Sequence, residues 1–178
     1  MPRLNADTRE EVKAVALELF TTKGFERTSL REIAERLGIT KAALYYHFRS
    51  KQDLARALLS PLIDDFNTLI KDVPDLLPDR PREVLERYFD LCTRNRSLLT
   101  GLLRDTHLVS QLDLINTVIH WRTELDELLV GPAPADRVRT VVALGGLQDC
   151  AILFDDPVGI RTAAVDTALR ALTASPPA

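Results

Sequence analysis

Helix punctuation between residues 24 and 53 restricts the fold of the N-terminal part more than any other feature of the sequence. Gly24 closes one amphipathic segment, Ser29 with Glu32 opens a second, and Gly38 closes it; Thr40 opens a third, and Ser50 with Asp53 opens a fourth at Lys51. A hydroxyl residue followed three positions later by an acid allows reciprocal capping of backbone N–H groups, and a glycine past a helix end adopts the left-handed conformation that stops it. Asp7 with Glu10 has the same form and opens the first helix. Between these signals apolar residues recur at helical spacing: Val12, Val15, Ala16, Leu19 and Phe20, then Leu30, Ile33, Ala34 and Leu37, then Ala43, Leu44 and Phe48. Three short helices result, the second and third joined by Leu37-Gly38-Ile39-Thr40, which is helix-turn-helix spacing.

Beyond Lys51 the helices lengthen. The fourth carries Leu54, Leu58, Leu62, Phe66 and Ile70, is expected to kink at Pro61, and is expected to end in a break from Val73-Pro74 to Pro78-Asp79-Arg80-Pro81. A fifth starts near Pro81 and buries Leu85, Tyr88, Phe89 and Cys92. A short leucine-rich helix follows, then a long one from about Thr106 to Val130, and after Gly131-Pro132-Ala133-Pro134 two more, about 136–154 and 158–174. No segment alternates as a half-buried strand does. The expected fold is all-α with about nine helices: a three-helix domain with the helix-turn-helix over residues 1–50, followed by a helical domain over 51–178.

Composition removes whole classes of function. With 178 residues, 46% of them hydrophobic, and only 7 glycines and 10 prolines, the chain is neither disordered nor collagenous. The apolar run at 141–147 is far short of the ~20 residues that cross a bilayer, and no basic-then-apolar leader opens the chain, so a cytoplasmic location is expected. Cys92 and Cys150 fit neither a metal-binding spacing nor a disulfide framework and read as core residues. No nucleophile is spaced with a base, no acidic or histidine cluster has metal-ligand spacing, and no glycine-rich phosphate loop exists. An enzyme, a metal site and a cofactor are therefore not expected.

The net charge of −3 conceals an asymmetry. Residues 1–60 hold 11 Lys and Arg against 8 Asp and Glu, and from Arg36 to Gln52 there is no acid, while Arg36, Lys41, Arg49 and Lys51 are basic. The acid-free stretch coincides with the second helix of the helix-turn-helix pair, where a polyanion would bind. Three consecutive large polar-tipped residues, Tyr45-Tyr46-His47, cannot all face one core.

Taken as one string, residues 20–59 resemble the tetracycline-repressor (TetR-like) family of bacterial regulators. The resemblance rests on Gly24-Phe25, Thr28-Ser29, Ile33-Ala34, Gly38-Ile39-Thr40-Lys41, Leu44-Tyr45-Tyr46-His47-Phe48 and Ser50-Lys51 through Leu54. Ala42 stands where many relatives have glycine. The resemblance implies that Thr40, Lys41 and Ala42 approach base edges in the major groove. It also implies that Tyr45 and His47 bond phosphates and that Tyr46 touches a base or the backbone. Thr28, Ser29 and Arg31 would reach flanking phosphates, and Lys51, in the first turn of its helix, would favour another. Ser29 and Thr40 are expected as helix caps with or without DNA.

For the second half the resemblance implies architecture only: a ligand-binding and dimerising helical domain. On a helical wheel the 106–130 segment gathers Leu112, Val118, Ile119, Trp121, Leu125 and Leu128 in one wide arc that also holds Gln111, Arg122 and Asp126, with His120 on the opposite side. Gln111 and Arg122 are candidate ligand contacts, because a polar group in an apolar wall needs a partner. Arg122 can instead pair with Asp126 one turn on. Phe66, Phe89 and Trp121 suggest a hydrophobic or aromatic effector. From Val141 the 136–154 helix is apolar nearly all round, more than one subunit can cover, and Gly145 and Gly146, with Ala164 and Ala168 on the last helix, permit close packing against a second copy. Gln148 and Asp149 either pair across that interface or face the cavity.

The expected function is a ligand-responsive, homodimeric repressor of a pseudo-palindromic double-stranded DNA operator. The alternative is a DNA-binding regulator whose C-terminal domain only dimerises or docks a protein, or which activates.

Overall fold

The computed structural model describes residues 5–77, 79–104, 112 and 114–174. Nine helices and no strand occur among them: α1 (Asn5–Lys23), α2 (Leu30–Leu37), α3 (Lys41–His47), α4 (Lys51–Leu76), α5 (Pro81–Arg94), α6 (Arg96–Arg104), α7 (Leu114–Val130), α8 (Pro134–Leu153) and α9 (Pro157–Thr173). Two compact units emerge. One comprises Met1–Pro61 and Ser97–Leu114, the other Leu62–Arg96 and Ile115–Ala178, so α4 gives its first part to one and the rest to the other.

The local chemistry of the first unit largely follows the punctuation. Ser29 Oγ accepts from the Glu32 amide at 3.1 Å, and Thr40 Oγ1 from Ala43 at 3.1 Å. At α4, Ser50 Oγ accepts from Asp53 N–H, and the Asp53 carboxylate reaches one residue past the cap to accept from Arg49 N–H at 2.9 Å. Gly38, at φ 64°, ends α2 with paired bonds from its own amide to Glu35 and from Ile39 to Ala34, the Schellman arrangement. Helix α1 departs from expectation. It begins at Asn5, and Glu10 accepts from Lys13 instead of bonding back toward Asp7.

Val12, Ala16, Leu19 and Phe20 of α1 meet Ile33 and Ala34 of α2, Leu44 of α3, Phe48, and Leu54, Ala55 and Leu58 of α4 in one buried cluster. Phe20 and Phe25 meet edge to face at 5.0 Å. Ion pairs from α1 to α2, Lys23 with Glu32 at 2.7 Å and Arg36 with Glu18, lie on its surface.

The break expected from Val73-Pro74 to Pro81 starts later: α4 runs through Pro74 to Leu76, and α5 begins at Pro81. Leu69, Ile70, Val73 and Leu76, on both sides of the proline, are buried at helical spacing, and that burial outweighs one missing N–H bond. In the second unit α5 packs on α8 and α9, which pack on each other. Arg161 grips Asp90 with two bonds of 2.7 and 2.8 Å, joining α9 to α5. Arg139 of α8 donates to the Leu172 and Ala174 carbonyls and so caps the end of α9. No helix among the described residues is long and apolar enough to cross a membrane.

Candidate nucleic-acid interface and effector-side cluster

Burial of Leu44 and Phe48 on one side of α3 forces its other residues outward. Thr40, Lys41, Ala42, Tyr45 and Tyr46 are exposed, Tyr46 at 76% and Tyr45 at 43%, and His47 is half-buried. Lys41 Nζ lies 5.5 Å from the Tyr45 ring centroid one turn on, and His47 sits edge-on to Tyr46 at 5.2 Å. Two large aromatic rings standing in water beside a lysine, on a helix without an acid, are costly as ordinary surface and suit a groove edged with phosphates.

On α2, Ser29 and Arg31 are exposed, with Arg31 paired to Glu35 at 2.7 Å. The Lys23 ammonium holds the Glu32 carboxyl below the usual carboxylate range, so the start of α2 carries a neutralised acid. Two residues named from sequence turn inward instead. Thr28 is only 1% exposed, with its hydroxyl donating to the Gly24 and Leu19 carbonyls. Lys51 donates to the Phe25 and Glu26 carbonyls at 2.7 and 3.3 Å and lies over the Phe25 ring. Arg27, exposed two positions before the α2 cap, joins this surface although it is not among the residues expected from the motif; its place near Ser29 is the signal for it.

In the second unit, Phe66 and Trp121 stack at 4.8 Å with their planes 9° apart, and Trp121 Nε1 donates to Asn67 Oδ1 at 2.9 Å. Tyr88 meets Phe66 edge-on at 6.1 Å and donates to Gln148 Oε1 at 3.3 Å. Burial pushes the Tyr88 phenol well above its ordinary range, and its neighbour Cys92 adds to this, while Arg122 opposes both; burial pushes the Cys92 thiol up to about 12. The structure thus gathers Phe66, Trp121 and Arg122 with Tyr88 and Gln148. Tyr88 was read only as a core residue, although a phenol in an apolar stripe signals a polar partner. Phe89 is buried on α5, and Gln111 lies outside the described residues.

Arg122 donates to the Val141 carbonyl at 3.4 Å and does not pair with Asp126, whose carboxylate, 2% exposed, faces Arg137 at 3.6 Å. Gln148 faces Tyr88, whereas Asp149 is exposed. Along α8 and α9 runs an apolar groove of about 380 Å³ lined by Val142, Gly146, Cys150, Phe154, Ala164 and Ala168 among others. Val138, Val141, Leu153 and Val158 are also exposed, and an added Cβ at Gly145 or Gly146 would meet nothing within 4 Å.

Helix order, the Schellman turn and the aromatic-basic face of α3 define a helix-turn-helix protein. Residues 14–58 match the sequence profile of the family described as bacterial regulatory proteins, tetR family. A curated relative, the HTH-type transcriptional regulator AcrR of Shigella flexneri, is 30% identical over 118 residues, 66% of this chain and 50% of that protein. The chain spans about half the length of the curated relatives it matches. Among solved structures, a transcriptional regulator of Aquifex aeolicus aligns over 90% of this chain and 96% of its own with a TM-score of 0.70 at 20% identity. AmtR of Mycobacterium smegmatis aligns over 94% and 86% at 0.64 and 26%. Over residues 14–58, then, the chain matches the tetR family of bacterial regulatory proteins, and the curated proteins it resembles are transcriptional regulators.

Proposed function

We propose that this protein is a cytoplasmic, homodimeric transcriptional repressor that binds a pseudo-palindromic operator through α2 and α3 and is released by a hydrophobic or aromatic small molecule. The observation that carries the DNA reading is the exposed Lys41, Tyr45 and Tyr46 on an acid-free α3. Thr40, Lys41 and Ala42 then read base edges, Tyr45, Tyr46 and His47 hold the backbone, and Ser29 and Arg31 flank it.

Dimerisation is supported by the α8–α9 groove, whose small residues and exposed valines match a self-complementary helical interface. Two copies are what a palindromic site requires. The effector reading is supported by the stacked Phe66 and Trp121 beside Arg122, Tyr88 and Gln148, an apolar wall with few polar groups, which is how small-molecule sites are composed. Helix α4 begins beside α3 and carries Phe66, so a ligand that displaces Phe66 acts on the same helix that anchors the DNA-facing pair.

The test is selection of bound duplexes from a random-sequence pool, followed by fluorescence anisotropy on the enriched sequence. A two-fold symmetric sequence should emerge, and Tyr46→Ala should weaken its binding at least tenfold with an unchanged urea midpoint. A pool that stays random after repeated rounds overturns the reading. Planar aromatic acids added to the complex should include compounds that release the duplex.

A further inference from the structure

We propose that Lys51 is a positioning residue rather than a phosphate contact: its ammonium is a strut that ties the α1–α2 turn to the start of α4, and through it α4 sets the presentation of α2 to DNA. This rests on the reading of α2 and α3 as the DNA-facing pair. Lys51 is the first residue of α4, and its half-buried side chain reaches 26 positions back in the chain. There Nζ donates to the Phe25 carbonyl at 2.7 Å and to the Glu26 carbonyl at 3.3 Å, and stands 4.3 Å from the centroid of the Phe25 ring.

An ammonium has three donors. Two are engaged by carbonyls and the charge rests on a buried aromatic face, an arrangement whose strength grows as water is excluded. The Phe25 carbonyl also accepts the Thr28 amide at 3.2 Å, and the Thr28 hydroxyl bonds back to Gly24. One knot therefore holds the turn, and it ends at Ser29, the cap of α2. From the same turn of α4, the Asp53 amide donates to Ser50 Oγ and the Asp53 carboxylate accepts from the amide of Arg49, the residue after Phe48 at the close of α3. Both arms of the helix-turn-helix thus hang from the first turn of α4, one through backbone and cap, the other through Lys51. A shift of α4 acts on α3 through the chain itself, and on the cap that starts α2 through the knot that Lys51 closes.

Two readouts on the full-length protein separate this role from a phosphate contact. Amide hydrogen exchange without DNA is compared between wild type and Lys51→Met. The strut predicts faster exchange at Thr28 in the variant, with Leu44 and Leu54 unchanged; unchanged exchange at Thr28 overturns it. The second readout is anisotropy with the fluorescein-labelled selected duplex across a salt series. The expected result is at least tenfold weaker binding at every salt concentration, with the slope of log K against log salt unchanged. A slope shallower by about 0.9, the mark of one lost phosphate contact, overturns the proposal, as does unchanged affinity. Arg31→Ala, which removes a cation placed at a flanking phosphate and should lower the slope, is the positive control. If Lys51→Met does not fold, Lys51→Gln is read by the same two criteria. Should the wild type select no duplex, the DNA reading fails while exchange at Thr28 still decides whether Lys51 holds the turn.

Discussion

At the scale of single residues, identical chemistry has opposite meanings depending on which way a side chain points. Thr28, Ser29 and Thr40 are all hydroxyl residues near helix starts, yet Ser29 and Thr40 cap at the surface while Thr28 is sealed beneath it. Tyr88 and Tyr46 differ as sharply, one fully buried and one in water. Their titration follows. Burial raises the folded-state values of the Tyr88 phenol and, to about 12, of the Cys92 thiol, so the unfolded chain releases these protons at lower pH than the folded one. Below the ordinary values of about 9 for the thiol and 10 for the phenol neither group affects stability; above them stability falls with rising pH. Urea midpoints should accordingly drop from about pH 9 upward. In a Tyr88→Phe, Cys92→Ala double variant the decline should be visibly shallower, and an identical decline in both proteins would contradict the burial described.

At the scale of elements, the caps decide where helices end. Gly38 needs its left-handed φ, and no neighbouring atom stands within 4 Å of where a Cβ would sit, so conformation is the sole obstacle to a side chain there. Gly38→Ala should cost about 1 kcal/mol in urea unfolding, the left-handed penalty of an L-residue. A cost near zero would mean that α2 can end another way. The starts of α2, α3 and α4 were legible from Ser29, Thr40 and Ser50, because capping uses atoms within four residues. The break after α4 starts past Pro74 for the converse reason: burial of Ile70, Val73 and Leu76 outweighs a local missing bond. Likewise Arg122 was set against Asp126 by spacing, whereas Arg137, from the next helix, takes that carboxylate.

At the scale of the whole molecule, the unsatisfied feature is the apolar α8–α9 groove. Gly146 lines it, and since a Cβ there meets nothing in the protomer, substitutions at this position test assembly separately from folding. Gly146→Arg should leave thermal unfolding of the protomer unchanged or improved, glycine being the poorer helix former by roughly 1 kcal/mol, while sedimentation shifts from dimer to monomer and binding to a two-fold symmetric duplex collapses. A variant that stays dimeric would move the interface elsewhere. Cys150 lies in the same groove, so its alkylation should be slower at dimeric concentrations than in Gly146→Arg.

The sequence by itself determined the helical class, the helix-turn-helix with its caps, and the exposed aromatic-basic face of α3, since each follows from periodicity, short-range hydrogen bonding and local charge. The tertiary structure alone decided which polar groups meet: Lys51 with the Phe25 carbonyl, Tyr88 with Gln148, Arg122 with the Val141 carbonyl, Asp126 with Arg137. These partners lie from 11 to 60 positions apart in the chain. A buried donor takes whichever acceptor packing brings within 3 or 4 Å, and sequence spacing carries no information about that choice once it exceeds a helical turn.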